Sequence, residues 1–287
     1  MIIAVASGKG GTGKTTVATS LALALAPHRP VCFLDCDVEA PNAHLFLKPV
    51  LDVRKLAVLP VPQIDQARCQ HQGTCAKVCQ FNAIAIAGET VLVFPDLCHG
   101  CGSCMLNCPA GAIIEQPHRL GILESGRANT GIRFARGMLD IGQPLAVPVI
   151  RQLNQWFRPR PDETVIIDAP PGTSCPTVES LQGADYALLV TEPTPFGLHD
   201  LRLAYELTRE LGLPAGVIIN RDGIGDSGTR DFCASVDLPV LLHIPLDRAL
   251  TEGLAQGVPL VALRPQYTAH LWRVLAMIGH RLRETAC

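Results

Sequence analysis

The chain has 287 residues, a formal net charge of −2 and twelve cysteines. This length suffices for one large domain and a small one, and the balanced charge argues against a nucleic-acid-binding or anionic-lipid-binding surface. No apolar run approaches a membrane span, and the apolar start is broken by glycines, unlike a signal peptide. Many of the cysteines are packed into one short stretch. We therefore expect a cytoplasmic protein, without a direct membrane anchor or a nucleic-acid partner, whose cysteines bind metal.

The first predicted elements are a short buried strand over residues 2–6 and a helix that starts at Thr15. Between them lies the pattern G-x-x-x-x-G-K-[ST], which ends with Lys14 and Thr15. In this context backbone N–H groups and the helix N-terminus bind phosphate oxygens, while the lysine reaches the outer phosphates and the threonine hydroxyl suits Mg²⁺. The predicted nucleotide-binding residues of this P-loop are Gly8, Gly10, Gly11, Thr12, Gly13, Lys14, Thr15 and Thr16.

A second buried strand starts at Val31 and leads to two carboxylates, Asp35 and Asp37. The loop that follows, residues 38–42, lies at the carboxyl end of this strand, where open α/β sheets bind ligands. Either carboxylate could cap the next helix. Beside a P-loop, the pair is better interpreted as a carboxylate that orients an attacking water, together with a neighbouring carboxylate.

A third apolar strand, residues 164–168, ends in Asp168 and is followed by Ala-Pro-Pro-Gly. An apolar strand that ends in aspartate is typical of the second half of a P-loop site, where it holds Mg²⁺ through water. The alternative is an aspartate that only caps a turn. Strands and helices continue to alternate, which predicts an α/β fold with a mostly parallel sheet covered by helices on both faces. The later strands are predicted at 186–191, 216–220 and 240–244, with a helix at 199–211.

The last predicted helix, residues 270–282, carries an apolar stripe with arginines alongside. A basic amphipathic helix of this kind can lie on a membrane. The more common arrangement, which we favour, is a helix that covers one face of the sheet.

The composition changes between about residues 62 and 117, where cysteines cluster, and this stretch is interpreted as an insertion. Cys98 begins the run C-x2-C-x2-C-x3-C-P, which is typical of bacterial ferredoxins, where the fourth cysteine belongs to the other cluster. Zinc is the main alternative, but the rhythm and the following proline favour iron–sulfur. An earlier run has the same spacing with Gln72 in place of the second cysteine and Gln80 in place of the proline. Crossed ligation predicts Cys79, Cys98, Cys101 and Cys104 around a [4Fe–4S] cluster, and Cys69, Cys75 and Cys108 around a second cluster.

The second cluster has only three thiolates in this scheme. A cubane with one unligated corner tends to lose that iron, so we predict a [3Fe–4S] cluster or a [4Fe–4S] cluster with a labile iron. His71 or Gln72 could fill the corner, but each is a poorer ligand for iron held among thiolates. An empty, vestigial site is the alternative.

These motifs together resemble the MinD/ParA/Mrp and nitrogenase-iron-protein class of P-loop ATPases, which has a deviant Walker A loop. Lys9 supplies the second, early lysine of that loop, and the segments 35–37, 168–172 and 217–221 match the class in order and spacing. With the cysteine stretch included, the chain looks like MinD-like ATPases that carry an inserted ferredoxin domain. The resemblance implies a P-loop ATPase domain in two parts, 1–61 and 118–287, interrupted by a ferredoxin-like α+β domain at 62–117.

The resemblance also assigns roles to individual residues. Lys9 would cross a dimer interface to the partner's nucleotide, so ATP would favour a homodimer or a heterodimer with a paralogue; the alternative is a solvated loop lysine. Lys14 and Asp37 would complete the catalytic set, with Asp37 orienting the water. Asp168 would help to hold Mg²⁺. Asn220, followed by Arg221, would read the adenine edge of bound ATP or ADP.

The remaining cysteines fall into three groups. Cys175 lies just after the Asp168 segment, at an offset where the nitrogenase iron protein has a cysteine that ligates a bridging cluster, so the resemblance makes Cys175 a candidate ligand. Cys32 and Cys36 are interpreted as small buried hydrophobic residues. Cys233 and Cys287 show no partner pattern.

The expected function is an ATPase, slow without a partner, that is coupled to electron transfer through ferredoxin-type clusters and meets a redox or iron–sulfur partner protein. An iron–sulfur assembly or carrier ATPase is the first alternative, although the C-terminal C-x-x-C of related scaffolds is absent. A MinD/ParA-like positioning switch with redox-sensing clusters is the second.

Overall fold

A computed structural model describes residues 1–285 of the chain, so Cys287 lies outside the described residues. Its elements in chain order are β1 (Ile2–Ala6), α1 (Lys14–Leu25), β2 (Val31–Asp35), α2 (His44–Leu47), β3 (Val50–Ile64), α3 (Thr74–Val78), β4 (Ile84–Ala87), β5 (Thr90–Val93), α4 (Ser103–Leu106), β6 (Ile113–Arg127), β7 (Arg133–Leu139), α5 (Ala146–Trp156), β8 (Thr164–Asp168), α6 (Cys175–Leu181), β9 (Tyr186–Thr191), α7 (Pro195–Glu210), β10 (Ala215–Asp222), α8 (Gly228–Ser235), β11 (Val240–Pro245), α9 (Arg248–Ala255), α10 (Leu260–Leu263) and α11 (Gln266–Thr285).

Within the described residues, nine strands form one sheet in the order β11-β10-β9-β1-β8-β2-β7-β6-β3. The strands from β11 to β7 run parallel, and β6 at one edge of this sheet pairs antiparallel with both β7 and the edge strand β3. This arrangement confirms the predicted α/β P-loop fold with a largely parallel sheet.

Both faces of the sheet are buried, which explains why its central strands are apolar throughout. In β1, Ala4 packs into the core on one face while Ile3 and Val5 pack into the core on the other. Helices α5, α6, α7 and α8 cover the first face, and α1, α9, α10 and α11 cover the second. Every parallel strand therefore ends at the same edge, where the loops that follow β1, β2, β8 and β10 come together.

The C-terminal helix α11 is one of the covering helices. Leu271, Val274 and Ile278 are fully buried in the second core, so the apolar stripe of this helix faces the sheet. This confirms the sheet-covering interpretation and corrects the membrane-surface alternative. No helix among residues 1–285 has the length and apolar character needed to cross a membrane.

Strands β3 and β6 form a long antiparallel ribbon that the sequence did not predict. The two strands pair from Val50 opposite Arg127 to Ile64 opposite Ile113, whereas β6 contacts β7 only from Gly121 onward. Prolines and two register shifts interrupt the ribbon, and proline in a strand is tolerated mainly at sheet edges and bulges. These interruptions hide the alternating pattern by which strands are found.

The ribbon carries a small cysteine-rich unit between its strands, residues 65–112. This unit consists of the β4–β5 hairpin with α3 and α4, and its core is built around Cys75 and Cys104, against which Ile113 of β6 packs. The predicted boundaries at 62 and 117 fall inside β3 and β6. The division into domains stays a prediction.

Candidate nucleotide site and cysteine sites

The P-loop connects β1 to the start of α1 and is held by Asn220 at the end of β10. The Asn220 side chain donates from Nδ2 to the carbonyl oxygen of Thr12 at 2.7 Å. Gly13 has a φ of 91°, and a Cβ there would lie 2.3 Å from that same nitrogen. Only glycine fits, because both the left-handed backbone and the close asparagine exclude a side chain.

A cavity of about 380 Å³ opens over this loop. It is lined by Lys9, Gly10, Gly11, Gly13, Lys14, Thr15, Thr16, Asp37, Asn220 and Arg221. Of the other predicted residues, Gly8 packs against Asp200 of α7, Thr12 is buried, and Asp168 is fully buried beneath Lys14. The structure thus brings the predicted P-loop, the Asp37 loop and the end of β10 at Asn220 together around one cavity.

Lys14 is buried among the carboxylates below the cavity. Its Nζ lies 2.6 Å from Oδ1 of Asp168 and 3.9 Å from Oδ2 of Asp37. Burial would lower the pKa of Lys14, but these carboxylates outweigh it and raise the pKa. The lysine therefore stays charged and is available to phosphate oxygens.

The two carboxylates at the end of the second strand have different roles in the structure. Asp35 is fully buried and accepts from the backbone N–H of Ala43 at 3.0 Å, so it anchors the start of α2. Burial and the nearby Asp168 raise the pKa of Asp35 well above its usual range. Asp37 lies at the cavity, and burial raises its pKa as well. Of this pair, Asp37 is the one that can reach a water at the phosphates.

Asp168 offers an acceptor that nothing in the described chain uses. Its Oδ1 binds Lys14, while Oδ2 is buried without a hydrogen-bond partner. A buried unpaired carboxylate oxygen is costly. Oxygen donors of this kind, together with the Thr15 hydroxyl, suit Mg²⁺ and its waters, so the residues present fit the implied metal.

Lys9 lies at the exposed rim of the cavity. Its Nζ is 3.8 Å from Oε2 of Glu192, and Glu192 also accepts from Arg221. The Lys9 side chain is 33% exposed, so it is accessible to a second molecule above the rim. Its role across a dimer interface stays a prediction.

One wall of the cavity was missed by sequence reasoning. Leu246, Leu250 and Leu254 line it from the end of β11 and from α9. Asp247 begins α9 by accepting from the N–H of Ala249 at 2.8 Å. The signal that could have found this wall is the apolar strand β11, since it ends at the same edge of the sheet as the P-loop strand.

The cysteines of the small unit line two separate cavities. Cys79, Cys98, Cys101 and Cys104 line one, together with Phe81 and His99, whose rings stack with centroids 3.8 Å apart. The other is lined by Cys69, Cys75 and Cys108, together with His71 and Gln72. These are the two sets of the crossed scheme, and their role as cluster ligands stays a prediction.

The two sets are related by an approximate repeat. Gly73 begins α3 with a φ of 77° and Gly102 begins α4 with a φ of 73°. Backbone N–H groups point at the sulfurs in both sets, from Ala83 to Cys79 at 3.3 Å and from Ala112 to Cys108 at 3.4 Å. Hydrogen bonds of this type tune iron–sulfur clusters.

The thiol donors and these N–H···S contacts fit iron–sulfur clusters. Among residues 1–285, no group of three or more histidine, cysteine or acidic side chains is arranged to hold a single metal ion. A cubane distributes its thiolates over different irons, so its ligands stand further apart than those of one ion.

The other described cysteines separate by burial. Cys32, Cys36 and Cys233 are buried and behave as small hydrophobic residues. Burial raises the pKa of Cys32 to about 12, which keeps this thiol protonated. Cys175 is exposed at the first residue of α6, and its role as a ligand stays a prediction.

Fold and site define a P-loop nucleotide-binding protein. A family model described as the CobQ/CobB/MinD/ParA nucleotide binding domain matches residues 3–260, and the chain belongs to this family.

Several relatives match most of the chain. Two uncharacterized proteins of Methanocaldococcus jannaschii are 29% and 32% identical, over 90% and 79% of this chain and 90% and 80% of their own. An iron-sulfur cluster carrier protein of Synechocystis is 25% identical over 92% of this chain and 65% of its own. The cytosolic Fe-S cluster assembly factor NUBP2 of Rattus norvegicus is 26% identical over 98% and 91%. Homologues of this chain thus include iron–sulfur carrier and assembly factors.

Among solved structures, the septum site-determining protein MinD of Pyrococcus horikoshii, in complex with Mg-ADP, has the same fold. The TM-score is 0.57 at 23% identity, with 95% of this chain and 92% of that chain covered.

Proposed function

We propose that this protein is a Mg²⁺-dependent ATPase whose nucleotide state is coupled to electron transfer through two ferredoxin-type clusters. The observation that carries the proposal is the grouping of the cysteines into the two predicted sets. The unit that holds them is attached by a ribbon whose base pairs with β7, and β7 pairs with the Asp35 strand.

The P-loop residues would act on ATP by position and charge. Lys14, released from Asp168 and Asp37, donates to the phosphate oxygens, and Asp37 then accepts from the attacking water. Thr15 and Asp168 would hold Mg²⁺, which supplies neutralisation of the phosphate charge. The apolar wall formed by Leu246, Leu250 and Leu254 would pack against the base.

Helix α5 offers a physical route from the nucleotide to the ribbon. Arg151 makes a two-pronged ion pair with Glu179 of α6, at 3.0 and 2.7 Å, and α6 follows the Asp168 segment. The next residue, Gln152, accepts from the N–H of Val58 at 3.1 Å and donates to its carbonyl at 2.9 Å. Val58 adjoins a register shift in the ribbon, so Gln152 holds β3 where its own pairing is irregular. A movement of α6 on loss of the γ-phosphate would therefore reach the ribbon through α5.

The test is potentiometry of anaerobically prepared protein with and without ATP, followed by EPR. In the native protein we expect ATP to shift the reduction potential of the clusters. In Gln152→Ala we expect this shift to disappear while ATP hydrolysis is retained, because Gln152 does not line the nucleotide cavity.

Gln155→Ala is the matched control, since Gln155 is exposed on the same helix and should leave the shift intact. An equal shift in Gln152→Ala and the native protein would reject the α5 route. If the reduction potential of the clusters is the same with and without ATP, the coupling itself is rejected. If the purified protein contains no iron, both cluster sites are rejected.

An iron–sulfur carrier or assembly ATPase is the second candidate. It is supported by the relatives that are named carrier and assembly factors. Transfer of ⁵⁷Fe from the loaded protein to an apo-ferredoxin, accelerated by ATP, would favour this candidate. Retention of all iron through repeated redox cycles would favour electron transfer.

We expect Lys9→Ala to lower ATP turnover by about 10²-fold, the usual cost of losing one donor to developing phosphate charge. The variant should also lose ATP-dependent dimerisation. Turnover measured against protein concentration, with sedimentation in ATP, checks both effects, and Lys55→Ala on the exposed part of β3 is the control. If Lys9→Ala keeps the turnover and the dimerisation of the native protein, Lys9 is an ordinary solvated lysine.

A further inference from the structure

A further cavity, of about 280 Å³, lies at the edge of the sheet opposite the nucleotide site. It adjoins Val31 at the start of β2 and Glu163 just before β8, whereas Asp35 and Asp168 end those strands at the nucleotide site. The two cavities are therefore separated by the length of the parallel strands. The lining consists of Ala26, Arg29, Pro30, Val31, Arg127 and Thr130 to Ile132, with Arg160, Asp162 and Glu163.

Three arginines from different parts of the chain converge on this cavity. Arg29 follows α1, Arg127 ends β6, and Arg160 precedes β8. Such a group of like charges is unfavourable unless carboxylates or a bound anion offset it.

The carboxylates present do not offset these arginines. Glu163 forms an ion pair with Arg133, whose Nη1 lies 2.6 Å away, and accepts a hydrogen bond from the backbone N–H of Arg160 at 2.8 Å. Asp162 is the one remaining acid of the lining. The cavity thus holds an excess of guanidinium charge.

The donors of these arginines are also mostly unused. Nε of Arg29 is buried without a hydrogen-bond partner in the described chain. The Arg160 side chain forms no ion pair or hydrogen bond among residues 1–285. Arg127 donates from Nη1 to the carbonyl of Gly131 at 2.9 Å, which secures the turn that closes the cavity.

We propose that this cavity binds the phosphate group of a small anion, free or esterified, at a site separate from the nucleotide. Guanidinium groups pair with phosphate through two parallel hydrogen bonds, and a buried Nε that lacks an acceptor is satisfied by a phosphate oxygen. Thr130 also lines the cavity, and its hydroxyl is a neutral donor. The proposal does not depend on the ATPase or on the clusters.

The test is isothermal titration of inorganic phosphate and of glycerol 3-phosphate into protein saturated with Mg-ADP, at constant ionic strength. ADP occupies the P-loop, the arginine variants distinguish this cavity from phosphate that binds at the open γ-phosphate position, and thermal denaturation confirms that each variant is folded. We expect saturable binding by the native protein and a loss of about tenfold or more in affinity in Arg29→Gln and in Arg160→Gln, as for a lost charged hydrogen bond.

Arg158→Gln is the matched control, because Arg158 is exposed nearby but does not line this cavity; it should bind as the native protein does. Tighter binding of glycerol 3-phosphate identifies an esterified ligand, tighter binding of inorganic phosphate identifies free phosphate, and equal binding means that the site recognises the phosphate group alone. No saturable binding, or unchanged affinity in Arg29→Gln and Arg160→Gln, would overturn the proposal.

Discussion

Replacing Lys14 with alanine is expected to abolish ATP hydrolysis and to destabilise the protein at neutral pH. The lysine is the cation that contacts Asp168 at 2.6 Å and Asp37 at 3.9 Å below the nucleotide cavity. Without it, buried carboxylates lose their partner, which typically costs about 3–5 kcal/mol of the free energy of unfolding. Turnover should fall by about 10³-fold or more, because this lysine neutralises the transferred phosphate.

The destabilisation should depend on pH, with a definite sign. The pKa of Asp35 is already raised by burial and by Asp168, so the folded state binds its proton more tightly than the unfolded chain does. Stability contributed by such a carboxyl increases as the pH falls through its raised pKa toward the lower pKa of the unfolded chain. Loss of Lys14 removes a charge that lowers this pKa, so the gain should begin at a higher pH in the variant than in the native protein, and the two proteins are compared at pH 7.5 and 5.5.

Urea denaturation at these two pH values measures the effect, with hydrolysis assayed in parallel. Lys9→Ala is the control, since its lysine lies in the same loop but at the exposed rim, and it should keep native stability at both values. Equal midpoints for Lys14→Ala and the native protein at pH 7.5 would mean that the carboxylates do not need this cation.

Replacing Gln72 with cysteine is expected to convert the three-thiolate cluster into a complete [4Fe–4S] cluster. Gln72 lines the same cavity as Cys69, Cys75 and Cys108. It precedes Gly73, as Cys101 precedes Gly102, and both glycines start a helix with a left-handed backbone. A cysteine at 72 would therefore occupy the backbone position that Cys101 occupies in the other set.

EPR of anaerobically purified protein distinguishes the two forms. The native protein should show a three-iron signal as isolated, or lose one iron readily to a chelator, whereas Gln72→Cys should lose that signal and retain the iron. Gln80→Cys adds an exposed thiol outside both cavities and should behave as the native protein does. Identical spectra in all three proteins would reject an open cluster corner at position 72.

Much of the candidate site followed from local sequence. The P-loop, the Asp35–Asp37 pair and Asp168 were found because each follows a short apolar strand, and parallel strands bring their carboxyl ends to one edge. The two cysteine sets followed from spacing alone, because a single loop can wrap a cluster corner only at close intervals.

Other features depend on contacts between residues far apart in the chain. The β3–β6 ribbon is broken by prolines and register shifts, so its pairing appears only once both strands are in place. Asp35 supports α2 and does not line the cavity, because its carboxylate accepts a hydrogen bond from the backbone N–H of Ala43. The hydrogen bonds between Gln152 and Val58 join residues 94 positions apart, so no local sequence pattern predicts them.

The sequence by itself determined the chemistry of this protein: a phosphate-binding loop, the carboxylates that serve it and two groups of thiols. These features depend on residue type and on short spacing, and both can be read directly from the amino-acid sequence. Tertiary structure alone decided how they are joined, through α5 and the ribbon, and where arginines from three distant segments meet at the opposite edge. Side chains that are far apart in sequence acquire a shared environment only when the sheet forms.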